Sequence, residues 1–297
     1  MPTSRTSKTH TELVLRCEGR PVARYVFRPQ LAGRLSPRPY LHPVSTPAGT
    51  LVTELSPADH THHLGVGVAV PDVEGHNFWG GRTFVRGRGP TELDNHGAQL
   101  HGEFTACGED GFAQQLSWVA DGRELLRERR TVAALGLGRE AWALDFGFAL
   151  TNATGRPLSL GSPATNGRPG AGYGGFFWRA RAGTEAPRVC TAADEGEDAV
   201  HQSRAPWLAL AGADWTLVFA GATGRTREDP WFVRSSDYPG VGSSLAHRTR
   251  LAVAPGGTVE RRIVTVVADG RLGTQRAAAL VRQALAAATA RSRAVDA

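Results

Sequence analysis

Apolar and polar residues alternate with a period of two near the start of the chain. Leu13, Leu15 and Cys17 fall on one side against Glu12, Val14 and Arg16, and Gly19-Arg20-Pro21 then turns the chain into 22–28. Successive side chains of an extended chain point to opposite faces, so this pattern predicts a hairpin. The same signal predicts strands over 51–54, 64–70, 78–85, 100–107, 112–119, 124–134, 141–151, 173–179, 207–210, 215–220, 244–253 and 258–268. Turn chemistry separates many of them, as at Asp110-Gly111, Asp121-Gly122 and Pro255-Gly256-Gly257. So many short strands joined by tight turns predict an all-β fold, a large and mostly antiparallel β-sandwich.

Only one segment changes to a helical period. From Thr274, a candidate N-cap, Ala277, Leu280, Val281, Ala284, Leu285 and Ala288 recur at helical spacing with arginines between them. The charged stretch 181–204 reads as a surface loop. The expected organisation is therefore a disordered arm over 1–11, a β-sandwich domain over 12–272 and a C-terminal helix and tail over 273–297.

Composition narrows the classes. A chain of 297 residues can bury a full core as one domain, and no apolar run approaches the roughly 20 residues that a spanning helix requires. The first eleven residues lack the apolar stretch of a secretory signal, which together with three unpaired cysteines, Cys17, Cys107 and Cys190, places the protein in the cytoplasm and makes the thiols ordinary buried ones. The net charge of +6 comes almost wholly from arginine, since Lys8 is the one lysine. Those arginines are interspersed with carboxylates rather than gathered into a stripe, which argues against nucleic acid as a partner. Schiff-base and P-loop chemistry would both depend on Lys8, which has no strand or glycine loop around it.

Candidate chemistry concentrates in the first third. His42, His60, His62, His63, His76, His96 and His101 fall within sixty residues, and Asp59-His60-Thr61-His62-His63 is the densest part. If 59–63 is extended, His60 and His62 share one face while Asp59 and His63 share the other. Paired imidazoles can divide acid and base work near neutral pH, or bind a divalent metal. A cupin-type metal site would add a Glu shortly after the His-x-His pair, and 65–70 supply none. Glu92, Asp94, Asn95 and His96 form a second polar group. The run Gly170-Ala171-Gly172-Tyr173-Gly174-Gly175 matches a dinucleotide fingerprint on paper, but Phe176-Phe177-Trp178 follows where a helix must open. Its glycines fit a backbone bent beneath a ligand, with Asn166, Arg168, Tyr173 and Arg179 as contacts. Asp229, Trp231 and Arg234 combine a carboxylate, an aromatic ring and a guanidinium, the composition of a carbohydrate cleft.

The segments Arg38-Pro39-Tyr40-Leu41-His42-Pro43, Pro57-Ala58-Asp59-His60-Thr61-His62-His63 and Asn77-Phe78-Trp79 resemble an uncharacterised bacterial family, carried first as "methane oxygenase PmoA-like" and later as DUF6807. Thr165-Asn166-Gly167-Arg168 and 171–179 look like its actinobacterial branch. A membrane monooxygenase subunit needs spanning helices that this chain lacks. The resemblance implies instead a galactose-mutarotase-like supersandwich and a setting alongside sugar dehydrogenases. Where relatives carry Asp-His-Pro before the late Trp, this chain has Glu228-Asp229-Pro230-Trp231, so no role passes from that histidine.

The expected function is an enzyme acting on a sugar or keto-glycoside by epimerisation, elimination or hydrolysis. His60, His62 and His42 would move protons and Asp59 or His96 would orient them. His63, Asn77, Asn166, Arg168, Tyr173, Arg179, Asp229, Trp231 and Arg234 would hold the substrate. A non-catalytic sugar-binding module and a metal-dependent oxygenase are the alternatives.

Overall fold

The computed structural model describes residues 11–295, so the arm expected over 1–11 lies almost wholly outside the described residues. Two large antiparallel sheets dominate. The first has seven strands in the order Glu12–Cys17, Arg20–Val26, Tyr40–Val44, Val66–Ala69, Gly175–Arg179, Gly240–Ser243, Trp231–Arg234. The second has eight, in the order Arg188–Cys190, Trp207–Ala211, Trp215–Gly221, Thr258–Asp269, Ala141–Asn152, Arg123–Gly136, Gly111–Ala120, Ala98–Cys107.

The sheets enclose one core because their strands alternate as the sequence pattern requires. Val66, Val68, Phe176, Trp178, Val233 and Val241 of the first sheet meet Trp118, Phe146, Phe148, Phe219 and Ile263 of the second. Trp178 and Phe219 cross edge to face at 5.6 Å, and Phe146 and Phe176 at 5.5 Å. The core also holds an ion pair. Arg130 and Glu128, both fully buried, bond at 2.7 Å, and Tyr25, Gln99 and the Pro39 carbonyl take the remaining guanidinium donors. That saturation is what makes a buried charge tolerable.

The outer faces are covered differently. Ala277, Leu280, Val281, Ala284 and Ala288 of the helix Thr274–Val295 pack on the outer face of the eight-stranded sheet. Over the seven-stranded sheet, Ala69, Trp79, Phe177 and Phe232 form a separate aromatic layer with Tyr173 and Tyr238, held there by loops.

Several local expectations change. The span 78–85 is strand only at Thr83–Val85, because Asn77 folds its own turn by accepting from the Trp79 and Gly80 amides. The span 244–253 is strand only at Leu251–Val253. The loop expected at 181–204 contains the edge strand Arg188–Cys190 and a short helix, Glu197–Val200. Strands at Tyr40–Val44, Leu158–Gly161, Trp231–Arg234 and Gly240–Ser243 carry no long alternation and were not expected. Cys17 and Cys190 are buried thiols, whereas Cys107, at the end of an edge strand, is exposed.

Candidate functional site

The outer face of the seven-stranded sheet is shaped by its glycines. Phe177 pairs with Gly242 and Arg179 with Gly240, and on the other side of the same strand Phe232 pairs with Gly242 and Arg234 with Gly240. Two outward rows result, Phe177-Gly242-Phe232 and Arg179-Gly240-Arg234. A Cβ on Gly240 would stand 3.1 Å from both the Phe177 and Tyr238 rings, so the bare backbone lets these rings lie flat on the sheet.

Above this floor sits the His-rich loop. It is not extended. His60 N–H donates to the Pro57 carbonyl at 3.0 Å and His63 N–H to the His60 carbonyl at 2.9 Å, so 57–63 forms two successive turns. The turns stack His60 on His63 with ring centroids 4.6 Å apart and set His62 edge-on to His63 at 4.8 Å, replacing the alternation expected of a strand. Arg38, buried beneath, donates to the His62 carbonyl at 2.6 Å and pins the loop. His62 packs over Gly81, where a Cβ would lie 2.8 Å from Nδ1. Burial, reinforced by the Arg38 charge, draws the His62 pKa down to about 3. His63, wedged among Trp79, Phe177 and Tyr238, is held far below its ordinary value by burial and by the neighbouring imidazoles, and its Nδ1 has no partner among the described residues. Both rings are therefore neutral at physiological pH.

His60 differs. It is partly exposed, and its Nδ1 lies 2.7 Å from Asp59 Oδ2. A carboxylate only accepts, so Nδ1 carries a proton, and in the neutral ring the lone pair is then on Nε2. The hydrogen bond from His60, aided by the Arg179 charge, holds Asp59 below the usual carboxylate range. The His60 ring lies 4.8 Å from the Tyr238 ring, which also meets His63 and carries the Arg179 guanidinium at 4.6 Å. Arg179 is only 3% exposed, bonds Glu54 at 2.9 Å and reaches Asp59 at 3.9 Å, with Nη1 unpartnered. Burial raises the Tyr238 phenol, which stays protonated at any physiological pH. Glu54, Asp59 and Arg179 line a cavity of about 400 Å³ together with 182–187 and 235–239, Tyr238 among them.

The expected residues divide into those the fold gathers and those it does not. Asp59, His60, His62, His63, Tyr173, Arg179 and Arg234 stand on or over this face, with Tyr173 bridging Trp79 and Phe232 at 4.6 and 5.2 Å. His96 stands behind Gly81, bonding its carbonyl at 2.7 Å. His42 stands apart, bonded to Thr53 at 3.0 Å beyond Glu54, with burial lowering its pKa. Asn77, fully buried, shapes the turn under His62. Asn166 bonds Asp72, itself doubly bonded by Arg250, and braces the loop that carries the exposed Arg168. Two expected contacts leave the face altogether. Trp231 points into the core with its indole N–H on the Ala205 carbonyl, because its strand turns Trp231 and Val233 inward and Phe232 and Arg234 outward. Asp229 is locked to Arg261 at 2.7 and 3.0 Å. Sequence reading missed Glu54, Trp79 as part of the aromatic layer, and Tyr238. The alternation Gly240-Val241-Gly242 marks room for rings on the outward face without saying which rings fill it.

Among the described residues no three His, Cys, Asp or Glu side chains converge as metal ligands. His60, His62 and His63 stack on one another rather than pointing at a common centre. A larger cavity, about 590 Å³, lies on the far side between the eight-stranded sheet and the C-terminal helix. Its Arg262–Asp145 and Arg291–Asp110 pairs satisfy one another, and the exposed thiol of Cys107 also lines it.

No helix among the described residues is long and apolar enough to cross a membrane. No curated protein matches the chain. The sequence model of the family of unknown function DUF6807 matches residues 12–282, and the chain belongs to that family.

Proposed function

We propose that the protein is an enzyme that moves a proton on a carbohydrate, with His60 as the base. The observation that supports this most is the 2.7 Å Asp59–His60 contact, whose carboxylate lines a cavity together with Arg179 and Tyr238. Asp59 fixes the tautomer and stabilises the imidazolium that forms when Nε2 takes a proton, either from an anomeric hydroxyl or from a carbon beside a keto group. The electron pair left behind collects on a sugar oxygen, where the Tyr238 hydroxyl can donate a hydrogen bond. At an anomeric hydroxyl the pair forms the carbonyl as the ring C–O bond breaks, the ring oxygen takes up the proton from the imidazolium, and rotation with reclosure gives the other anomer. At a carbon beside a keto group, water protonating the enolate from the opposite face while the imidazolium returns its proton to solvent gives epimerisation, and expulsion of a β-substituent that takes the imidazolium proton gives elimination. His62 and His63, held neutral, serve as hydrogen-bonding and stacking groups. The charge-paired Arg179 and Glu54 suit a hydroxyl-rich ligand. This reading carries with it the galactose-mutarotase-like form of the sandwich, a cytoplasmic location and a sugar dehydrogenase as working partner.

A panel of hexoses, uronates and 3-keto-glycosides incubated in D2O and followed by NMR tests it. Deuterium entering a sugar C–H, or accelerated anomer exchange, is expected with the wild type and lost in His60→Gln. Sugars that bind by calorimetry and undergo no exchange or change would make the protein a binding module instead.

A further inference from the structure

The face is charged unevenly. At its Tyr238 end, Arg179 is outweighed by Glu54 and Asp59, both within ion-pair reach. At its Tyr173 end the balance reverses. The Arg234 guanidinium lies 4.6 Å over the Phe232 ring, and Tyr173 meets the same ring at 5.2 Å. Its carboxylate neighbour, Glu197, is 3.5 Å away and already accepts from the Ser235 amide, the Ser235 hydroxyl and the Ser236 amide. Arg168, on the same loop as Tyr173, forms no ion pair among the described residues and is exposed. The loop holding it is fixed from both sides, by Arg86 on the Thr165 carbonyl at 2.9 Å and by the Asn166–Asp72–Arg250 chain. Burial raises the Tyr173 phenol, and the Arg168 and Arg234 charges beside it act in the opposite direction. No hydrogen bond among the described residues uses its hydroxyl.

We propose that the substrate is an acidic sugar whose carboxylate is held by Arg168, Arg234 and the Tyr173 hydroxyl, while its reacting carbon lies at the Asp59–His60 end. This rests on the sugar-processing reading. Arg179 and Arg234 both flank Gly240, so the two ends are about two strand spacings, near 10 Å, apart. An acidic sugar laid along the Tyr173–Tyr238 line spans from one to the other. One surplus positive charge, from Arg168 and Arg234 against Glu197, matches a carboxylate monoanion better than a phosphate dianion.

The test is calorimetric titration of the wild type, Arg168→Gln and Arg271→Gln with hexuronates, uronate-ended disaccharides, the matching neutral sugars and hexose 6-phosphates at low salt. Arg271, which bonds the Gly212 carbonyl at a turn of the other sheet, serves as the remote control. The wild type and Arg271→Gln are expected to bind a uronate at least tenfold more tightly than its neutral counterpart, and Arg168→Gln to lose that preference. Neutral sugars bound as well as uronates, or a preference that survives in Arg168→Gln, overturns the carboxylate subsite and leaves the sugar reading standing. Tighter binding of the phosphates also overturns it. Failure of every sugar to bind overturns both.

Discussion

Replacing His63 with phenylalanine removes one imidazole from the aromatic layer and keeps its shape among Trp79, Phe177 and Tyr238. In the folded protein this ring is barred from protonation by burial, while in the unfolded chain it titrates near 6.5. Below that pH the unfolded state binds a proton that the folded state refuses, so stability falls as the solution is acidified. Between pH 7.5 and 5 the loss amounts to 1.5 pH units below the unfolded value, or about 2 kcal/mol from this residue alone. The variant lacks that term and also lacks the unpartnered Nδ1, whose burial costs on the order of 1 kcal/mol. Urea unfolding at pH 7.5, 6 and 5 should therefore show His63→Phe at least as stable as the wild type at pH 7.5 and ahead of it by an additional 2 kcal/mol or so at pH 5. Parallel pH dependence in the two proteins would refute the reasoning, because it would mean that His63 titrates freely and the loop does not seat it.

Three further outcomes follow from particular contacts. Asp59→Asn leaves an exposed position with stability within about 0.5 kcal/mol of the wild type, yet removes the carboxylate that sets the His60 tautomer, so turnover should fall about 100-fold or more in a steady-state assay. Glu54→Gln strands the nearly buried Arg179 charge and should cost about 3 kcal/mol in urea denaturation, with Asp59 too far at 3.9 Å to compensate fully. Gly242→Ala sets a methyl 2.9 Å from the Phe176 carbonyl and 3.2 Å from the Phe177 ring, so a loss of about 1–3 kcal/mol is expected by the same measurement.

The sandwich was legible because period-two alternation is strong in long strands such as Gly111–Ala120 and Arg123–Gly136, and the helix from Thr274 because its apolar period changes abruptly. The short strand Gly240–Ser243 escaped, since two of its four residues are glycine and carry no polarity contrast. The histidine cluster was legible as composition and misread as geometry. Alternation assigns faces only to extended chain, whereas hydrogen bonds from His60 to Pro57 and from His63 to His60 curl this segment so that His60 meets His63. Trp231 had the composition of a sugar-stacking residue. Which face it takes depends on register, and register puts Phe232 and Arg234 outside in its place. Tyr238 was invisible for a similar reason, because nothing local marks a tyrosine in a loop as the neighbour of a histidine 178 residues away.

The proposed chemistry depends on where a sugar sits. A crystal structure of the protein with a bound sugar measures this directly. The prediction is a ring in the cavity bounded by Asp59, Arg179 and Tyr238, with a substrate C–H or hydroxyl about 3 Å from His60 Nε2. Density for the sugar beneath the C-terminal helix, between Arg262 and Arg291, with the His60 face left free, would contradict it.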